Sequence, residues 1–422
     1  MPVPFREPRP GALRPGLPDP ERRRFLGALT RSATTALPAL AGLECRMSEA
    51  DPPRLQVDTA FPGGNGLLRD GQGDILRLAP DLRDTTRDWF YWSIRVRGAA
   101  GRTLTVQFDQ DVLGPLGPAL SLDDGRRWRW LGRDSARQTE FRLAVPRSAR
   151  TVRLAFCLPY TDEHLRAFLR RHEGNPHLTS HRLTRSRGGR SVPRLAAGRV
   201  DGSAEHRVLL VARHHACETM ANYALEGLLE AVLGDNPVGA WFRERVEFWI
   251  VPFMDRDGVE AGDQGKLRGP HAHWEDYALP GIYPEVRALR EQAGRWAGGR
   301  LRVALDVHCP SRLDQKLYFA GPSRPRPAAG LDRLARALEA APDRAFPFSP
   351  ADGLPFNTGW NTATYYQQRR CFMHWAEELS GVEAVGTLEI PYARIGDREV
   401  TADGVRKLGG NLAVALWELL RG

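Results

Sequence analysis

Four short apolar runs, at residues 208–212, 248–252, 303–307 and 387–390, constrain this chain more than any other feature. They have the length and the Val, Leu, Ile and aromatic content of strands buried on both faces. Residues 220–233 carry helical spacing, and residues 400–420 carry the pattern of an amphipathic helix. Buried strands alternating with such helices predict an α/β fold, a sheet covered by helices on both faces. In a sheet of that kind the reactive side chains belong in loops at the carboxyl ends of the strands.

Residues 54–158 read differently, as an all-β region. Trp89-Phe90-Tyr91-Trp92-Ser93-Ile94-Arg95-Val96-Arg97 is aromatic and then alternates apolar with charged. Gly98-Ala99-Ala100-Gly101 is a turn, after which Leu104, Val106 and Phe108 alternate again, and residues 141–145 and 152–156 repeat the pattern. Short strands separated by Gly and Asp turns predict a β-sandwich. Residues 162–172 are a polar helix candidate, and residues 185–190 a basic, Gly-containing loop. The expected organisation is a tail or signal at 1–45, a β-sandwich at 54–158 and an α/β catalytic domain at 159–422.

Arg22-Arg23-Arg24-Phe25-Leu26 followed by a weakly apolar stretch resembles a twin-arginine export signal, with Ala39-Leu40-Ala41 in the form of a cleavage site. The reading is a periplasmic or secreted protein; translation from Met47 would give a cytoplasmic one. The apolar stretch is too short to span a membrane and Arg31 interrupts it, so no stable membrane insertion is expected. The formal net charge is +9, yet lysine occurs only at Lys266, Lys316 and Lys407. The basic balance is an arginine bias without a basic stripe interleaved with aromatics, which argues against a nucleic-acid partner. Cys45, Cys157, Cys217, Cys309 and Cys371 are scattered, with no CxxC pair. That excludes a disulfide scaffold and a Cys-based zinc knuckle, and leaves room for one or two disulfides in an exported form.

The chemistry concentrates at strand ends. Arg213-His214-His215-Ala216-Cys217-Glu218 follows the first apolar run directly, and His215 and Glu218 form an H-x-x-E pair. At a strand-to-helix turn that spacing can aim an imidazole and a carboxylate at one ion. A catalytic zinc takes three protein ligands and keeps one position open, and His308, at the end of another run, is the third ligand. His214 competes with His215, which is preferred on spacing. Glu389 is a lone acid in an apolar run, placed to act as general base; the competing reading is an acid paired structurally with an arginine. His271 and His273 are the remaining candidate ligands and read as loop residues.

These residues resemble the M14 zinc carboxypeptidases, in the branch related to cytosolic carboxypeptidases that carries an N-terminal β-sandwich. Ala212-Arg213-His214-His215-Ala216-Cys217-Glu218 is similar to that branch's A-R-x-H-x-x-E-T, and Asp255-Arg256-Asp257-Gly258-Val259 stands where it has N-P-D-G-V. Asp306-Val307-His308 is similar to its D-x-H and Thr387-Leu388-Glu389 to its T-L-E. Ser121-Leu122-Asp123-Asp124-Gly125 with Trp128 looks like its sandwich domain, and Phe156-Cys157-Leu158-Pro159-Tyr160-Thr161 like the join. The resemblance implies a mixed central sheet, one Zn2+ ion and removal of C-terminal residues from peptides, including cell-wall peptides if the protein is exported. It gives no oligomeric state.

The departures are specific. The family's Asn-Arg pair, which grips the substrate's terminal carboxylate, falls on Trp274 and Glu275, and a glutamate repels a carboxylate where an arginine fork binds one. Lys266 or Arg268 stands near the family's oxyanion-stabilising arginine, and Tyr365 or Tyr366 near its substrate-contacting tyrosine. The alternatives are a zinc amidohydrolase or deacylase that holds no terminal carboxylate, and a non-catalytic peptide-binding relative.

Overall fold

The computed structural model describes residues 54–422 except 84, 86–88, 136, 138, 367 and 368. The signal-like segment at residues 1–45, Cys45 and Met47 lie outside the described residues.

A seven-stranded sheet organises residues 178–389. Its strands are β1 (Leu178–Arg185), β2 (Ser191–Gly198), β3 (His206–Ala212), β4 (Val246–Val251), β5 (Leu301–His308), β6 (Tyr318–Ala320) and β7 (Ala384–Glu389). They lie in the order β1-β2-β4-β3-β5-β7-β6. The four central strands, β4, β3, β5 and β7, are parallel to one another, and β1, β2 and β6 join antiparallel at the margins. The sheet is therefore mixed, as the resemblance implies. The four runs are its parallel centre, where both faces are covered and most residues are apolar; Asp306, Thr387 and Glu389 are buried polar exceptions near the carboxyl ends.

The helices over its two faces include α1 (Met220–Leu233), α2 (Pro284–Ala297), α3 (Pro325–Ala340), α4 (Phe372–Ala376) and α5 (Ala402–Arg421). Alternate residues of β3 divide between two cores. Val208, Leu210 and Ala212 pack with α1, α3 and α5, and Leu209 and Val211 pack with α2 and α4. The closest helix pair is α1 with α5. A Cβ on Gly227 would lie 1.8 Å from the Arg406 carbonyl oxygen, and one on Gly409 2.0 Å from that of Ala224. Two backbones touch there, so Gly227→Ala should destabilise the protein by about 2 kcal/mol even after its gain in helix propensity. Denaturant unfolding would show this as a lower midpoint.

Residues 56–155 form two further sheets, of five and four strands. Trp92 joins their cores, with ring centroids 4.8 Å from Phe108 and 6.2 Å from Phe141. This core is continuous with the α1/α3/α5 side of the central sheet, so the β-rich region and the α/β region share one apolar interior. Two differences from the sequence reading have local causes. Trp89 to Trp92 precede the strand Ser93–Arg97 and do not belong to it, because the N–H groups of Phe90 and Tyr91 donate to the Gln264 side chain. The allowance for disulfides is not met among the described residues: Cys157, Cys217, Cys309 and Cys371 are buried free thiols.

Candidate active site

The chain runs from β3 through α1 to β4 on one side, and then crosses to β5 on the other. The strand order thus reverses beside β3, and a crevice opens there at the carboxyl ends of the strands. His214, His215 and Glu218 lie in the turn after β3, His308 is the last residue of β5, and Glu389 is the last residue of β7. Register places His308 directly opposite Glu389.

Arg213 holds the turn after β3. Its φ is +61°, unusual for a residue with a side chain. Its buried guanidinium donates to the carbonyls of Ala216 and Tyr160 and to Asn222 Oδ1, which fixes this backbone. The turn then brings His215 Nδ1 to 2.9 Å from Glu218 Oε1, and His308 Nδ1 lies 2.8 Å from Glu218 Oε2. One ligand atom from each of His215, Glu218 and His308 lies within 4.8 Å of the others. Burial by itself would raise the Glu218 carboxyl; His308, Lys266 and His215 overcome it and hold the group well below the usual range. Burial pushes His215 down to about 4, so its imidazole is neutral, as a ligand must be. Glu218 Oε2 is buried without an aligned hydrogen bond. A buried carboxylate between two imidazoles, with an acceptor to spare, fits a divalent cation.

His214 is placed otherwise. Its Nδ1 lies 2.9 Å from Asp306 Oδ1 and its Nε2 2.8 Å from the Tyr277 hydroxyl, so both ring nitrogens are engaged. Asp306 Oδ2 also lies 2.7 Å from His308 Nε2. His214, Asp306 and His308 thus make a second group able to hold a cation, but all three are buried. His215, Glu218 and His308 instead line a cleft of about 720 Å³. The second group supports the His308 imidazole from behind; the first leaves a position open to solvent.

Glu389 lines the same cleft and is 6% exposed. Burial raises its carboxyl, to about 7, with the neighbouring Glu218 adding to the rise. Its Oε2 has no hydrogen-bond partner. Lys266 Nζ lies 2.7 Å from Glu218 Oε1 and donates to the carbonyls of Cys309 (2.7 Å) and Pro310 (3.1 Å). Arg268 is turned away from the cleft, onto Asp255 Oδ2 (2.7 Å) and Asp263 Oδ2 (2.9 Å).

Trp274 is buried, with its ring centroid 5.8–6.2 Å from those of His215, His308, Trp360, Tyr365 and Tyr366. Tyr365 is exposed at the mouth of the cleft, whereas the Tyr366 hydroxyl is buried against Asn361 Oδ1. The Glu275 carboxylate is engaged at both oxygens: Oε1 accepts from Arg369 at 2.5 Å and Oε2 from the Ala272 N–H at 3.2 Å. Of the remaining histidines, His271 pairs with Asp276, and His273 stacks on Tyr283 with centroids 3.6 Å apart. Sequence reasoning missed Arg369, Trp360 and Arg312 in the cleft, and Trp89 and Phe90, by which the sandwich supplies one of its walls.

A mixed sheet that delivers two imidazoles and two buried carboxylates to one switch-point cleft has the architecture of a metallocarboxypeptidase. Comparison with known proteins agrees. The zinc carboxypeptidase (Peptidase M14) family profile matches residues 165–277. An uncharacterized protein of Zymomonas mobilis is 28% identical over 211 residues, 48% of this chain and 54% of that protein. Cytosolic carboxypeptidase 2 of Danio rerio is 26% identical over 281 residues, 58% of this chain and 39% of that protein. The chain thus spans about half or less of these relatives' length. The crystal structure of a metallo-carboxypeptidase from Burkholderia cenocepacia superposes with a TM-score of 0.72 at 22% identity, over 87% of this chain and 99% of that one. In sequence the chain is thus similar to the M14 zinc carboxypeptidases, cytosolic carboxypeptidases among them, and in fold to a metallo-carboxypeptidase.

Proposed function

We propose that this protein is a zinc-dependent metallocarboxypeptidase that hydrolyses C-terminal peptide bonds, with one zinc held by His215, Glu218 and His308 and with Glu389 as general base. The observation that carries the reading is the joint opening of those three ligand atoms and the unpaired Glu389 carboxylate onto one cleft. A zinc ion bound there would polarise the scissile carbonyl and acidify a water molecule. The chain's own residues do the rest. Glu389, ionised in part near neutrality, accepts the water's proton and passes it to the leaving amine. Lys266 is a fixed cation beside the ligands, suited to the oxygen on which charge develops. Trp274, Trp360 and Tyr365 form an aromatic wall for a side chain of the substrate.

Arg369 bears on the choice between a carboxypeptidase and an amidohydrolase. Glu275 is saturated by Arg369 and Ala272, so it is not a bare charge facing the substrate. It anchors a guanidinium that is 48% exposed and lines the cleft. A positive group therefore stands beside Glu275 after all, supplied by a different loop, and it favours a free terminal carboxylate. Arg369→Gln should raise KM for peptides with a free C-terminus by about tenfold or more, the worth of a charged hydrogen bond, and leave amide-capped peptides unaffected. Equal effects on both would favour the amidohydrolase.

The direct test is zinc content together with hydrolysis of a mixed peptide library. One zinc per chain with sequential loss of C-terminal residues is expected. Zinc binding without trimming of any free C-terminus would sink the peptidase reading. The residue 22–41 pattern supports export and cell-envelope peptides as substrates; a start at Met47 supports a cytoplasmic enzyme. Among the described residues, no helix is long and apolar enough to cross a membrane.

A further inference from the structure

We propose that the β-sandwich is a working part of the catalytic site, with Gln264 as the positioning residue that ties it to the metal-ligand turn and to Lys266. The proposal rests on the zinc-site reading above. Gln264 is fully buried. Its Oε1 accepts the N–H groups of Phe90 (2.7 Å) and Tyr91 (3.3 Å) from the sandwich. Its backbone carbonyl accepts the N–H of Cys217 (3.0 Å), which lies between His215 and Glu218. One residue therefore touches the sandwich with its side chain and the ligand turn with its backbone.

Its neighbours continue the arrangement. A Cβ on Gly265, at φ +80°, would lie 2.5 Å from Ala216 N and 3.0 Å from His215 Cα, so this backbone lies directly against the ligand turn. The Lys266 carbonyl accepts the Thr85 hydroxyl at 3.2 Å, and Thr85 bridges Arg268 antiparallel. At the other end of the loop, a Cβ on Gly262 would lie 2.4 Å from the Gly64 carbonyl, and Arg83 pairs with Asp263 at 2.7 Å. Residues 262–268 lie outside every helix and the central sheet. Groups from the sandwich hold them on one side, and the ligand turn and Asp255 on the other. A lysine side chain has large rotamer freedom, so a backbone held on both sides is what lets the Lys266 ammonium reach Glu218 and the carbonyls of Cys309 and Pro310 in one fixed geometry.

The test compares Gln264→Leu, which removes the acceptor, with Gln264→Glu, which keeps it, and with Thr85→Val. Zinc affinity is read by chelator competition, and kcat and KM on a free-C-terminus peptide. Gln264→Leu should weaken zinc binding by about tenfold, the usual cost of losing support behind a ligand. It should lower kcat by about 10–100-fold with little change in KM, as misplacement of a catalytic group does. Gln264→Glu should restore most of both. Thr85→Val should lower kcat and spare zinc binding, and should have no further effect in a Lys266→Ala background, because it acts through Lys266. The proposal is overturned by a folded Gln264→Leu protein within about twofold of wild type in both readouts. It is overturned equally if Thr85→Val and Lys266→Ala losses multiply. If Gln264→Leu does not fold, the Thr85→Val comparisons decide. If the wild type binds zinc but cleaves no peptide, the peptidase reading fails and the zinc-affinity comparison still decides this one.

Discussion

Glu389→Gln should lower kcat by about a thousandfold while leaving one zinc per chain and the fold intact, the scale expected when a positioned general base is removed. The substitution keeps the size of the side chain and removes only its charge and proton capacity. Among the described residues no arginine makes an ion pair with Glu389, so no salt bridge is lost. Its carboxyl is raised, to about 7, chiefly by burial, so the charged form is the one burial penalises. A neutral amide relieves that cost, and the variant should unfold no earlier than wild type. Retained zinc and retained stability with lost turnover would separate a proton-transfer role from a structural one. Activity within about tenfold of wild type would remove Glu389 from the mechanism.

The strand ends that carry this chemistry were legible because burial on both faces leaves a recognisable apolar run. The residues 208–212, 248–252, 303–307 and 387–390 became β3, β4, β5 and β7, and residues 220–233 became α1. His215, Glu218, His308 and Glu389 stand out in sequence because each is polar beside such a run. The hairpin of β1 and β2 was not legible, except for the basic loop at its tip. Strand β1 is the sheet's edge, reads Leu-Thr-Ser-His-Arg-Leu-Thr-Arg and has only Leu183 buried, so alternation is faint. Arg369 gave no signal because its partner Glu275 lies 94 residues away. Gln264 gave none either. It sits in an Asp-Gln-Gly loop that reads as solvent-exposed, and it is buried by contacts with the sandwich and with the ligand turn, both distant in sequence. Local pattern reports burial by one's own element; it does not report groups buried by a different part of the chain.

Glu218→Gln should abolish zinc binding at micromolar concentrations and, with it, detectable turnover. The carboxylate is the only anionic member of the His215–Glu218–His308 group, and a neutral amide offers one weak acceptor where two charged oxygens stood. The change also reaches Lys266, whose Nζ lies 2.7 Å from Glu218 Oε1 and whose other acceptors there are the carbonyls of Cys309 and Pro310. Removing one partner of a buried ion pair leaves the other charge uncompensated, so the metal-free variant should lose about 3 kcal/mol relative to metal-free wild type. The comparison must be made without zinc, since ligand binding to the native state would add its own stabilisation to wild type. Asp306→Asn is the informative control. It strips the charge from the second group, His214, Asp306 and His308, and leaves Glu218 in place. If zinc sits on Glu218, this control should weaken binding by only about 10–100-fold, the range for a residue behind a ligand. Stoichiometric, tight zinc in Glu218→Gln with zinc lost in Asp306→Asn would move the ion to the buried group and take the open coordination position, and the hydrolytic reading, with it.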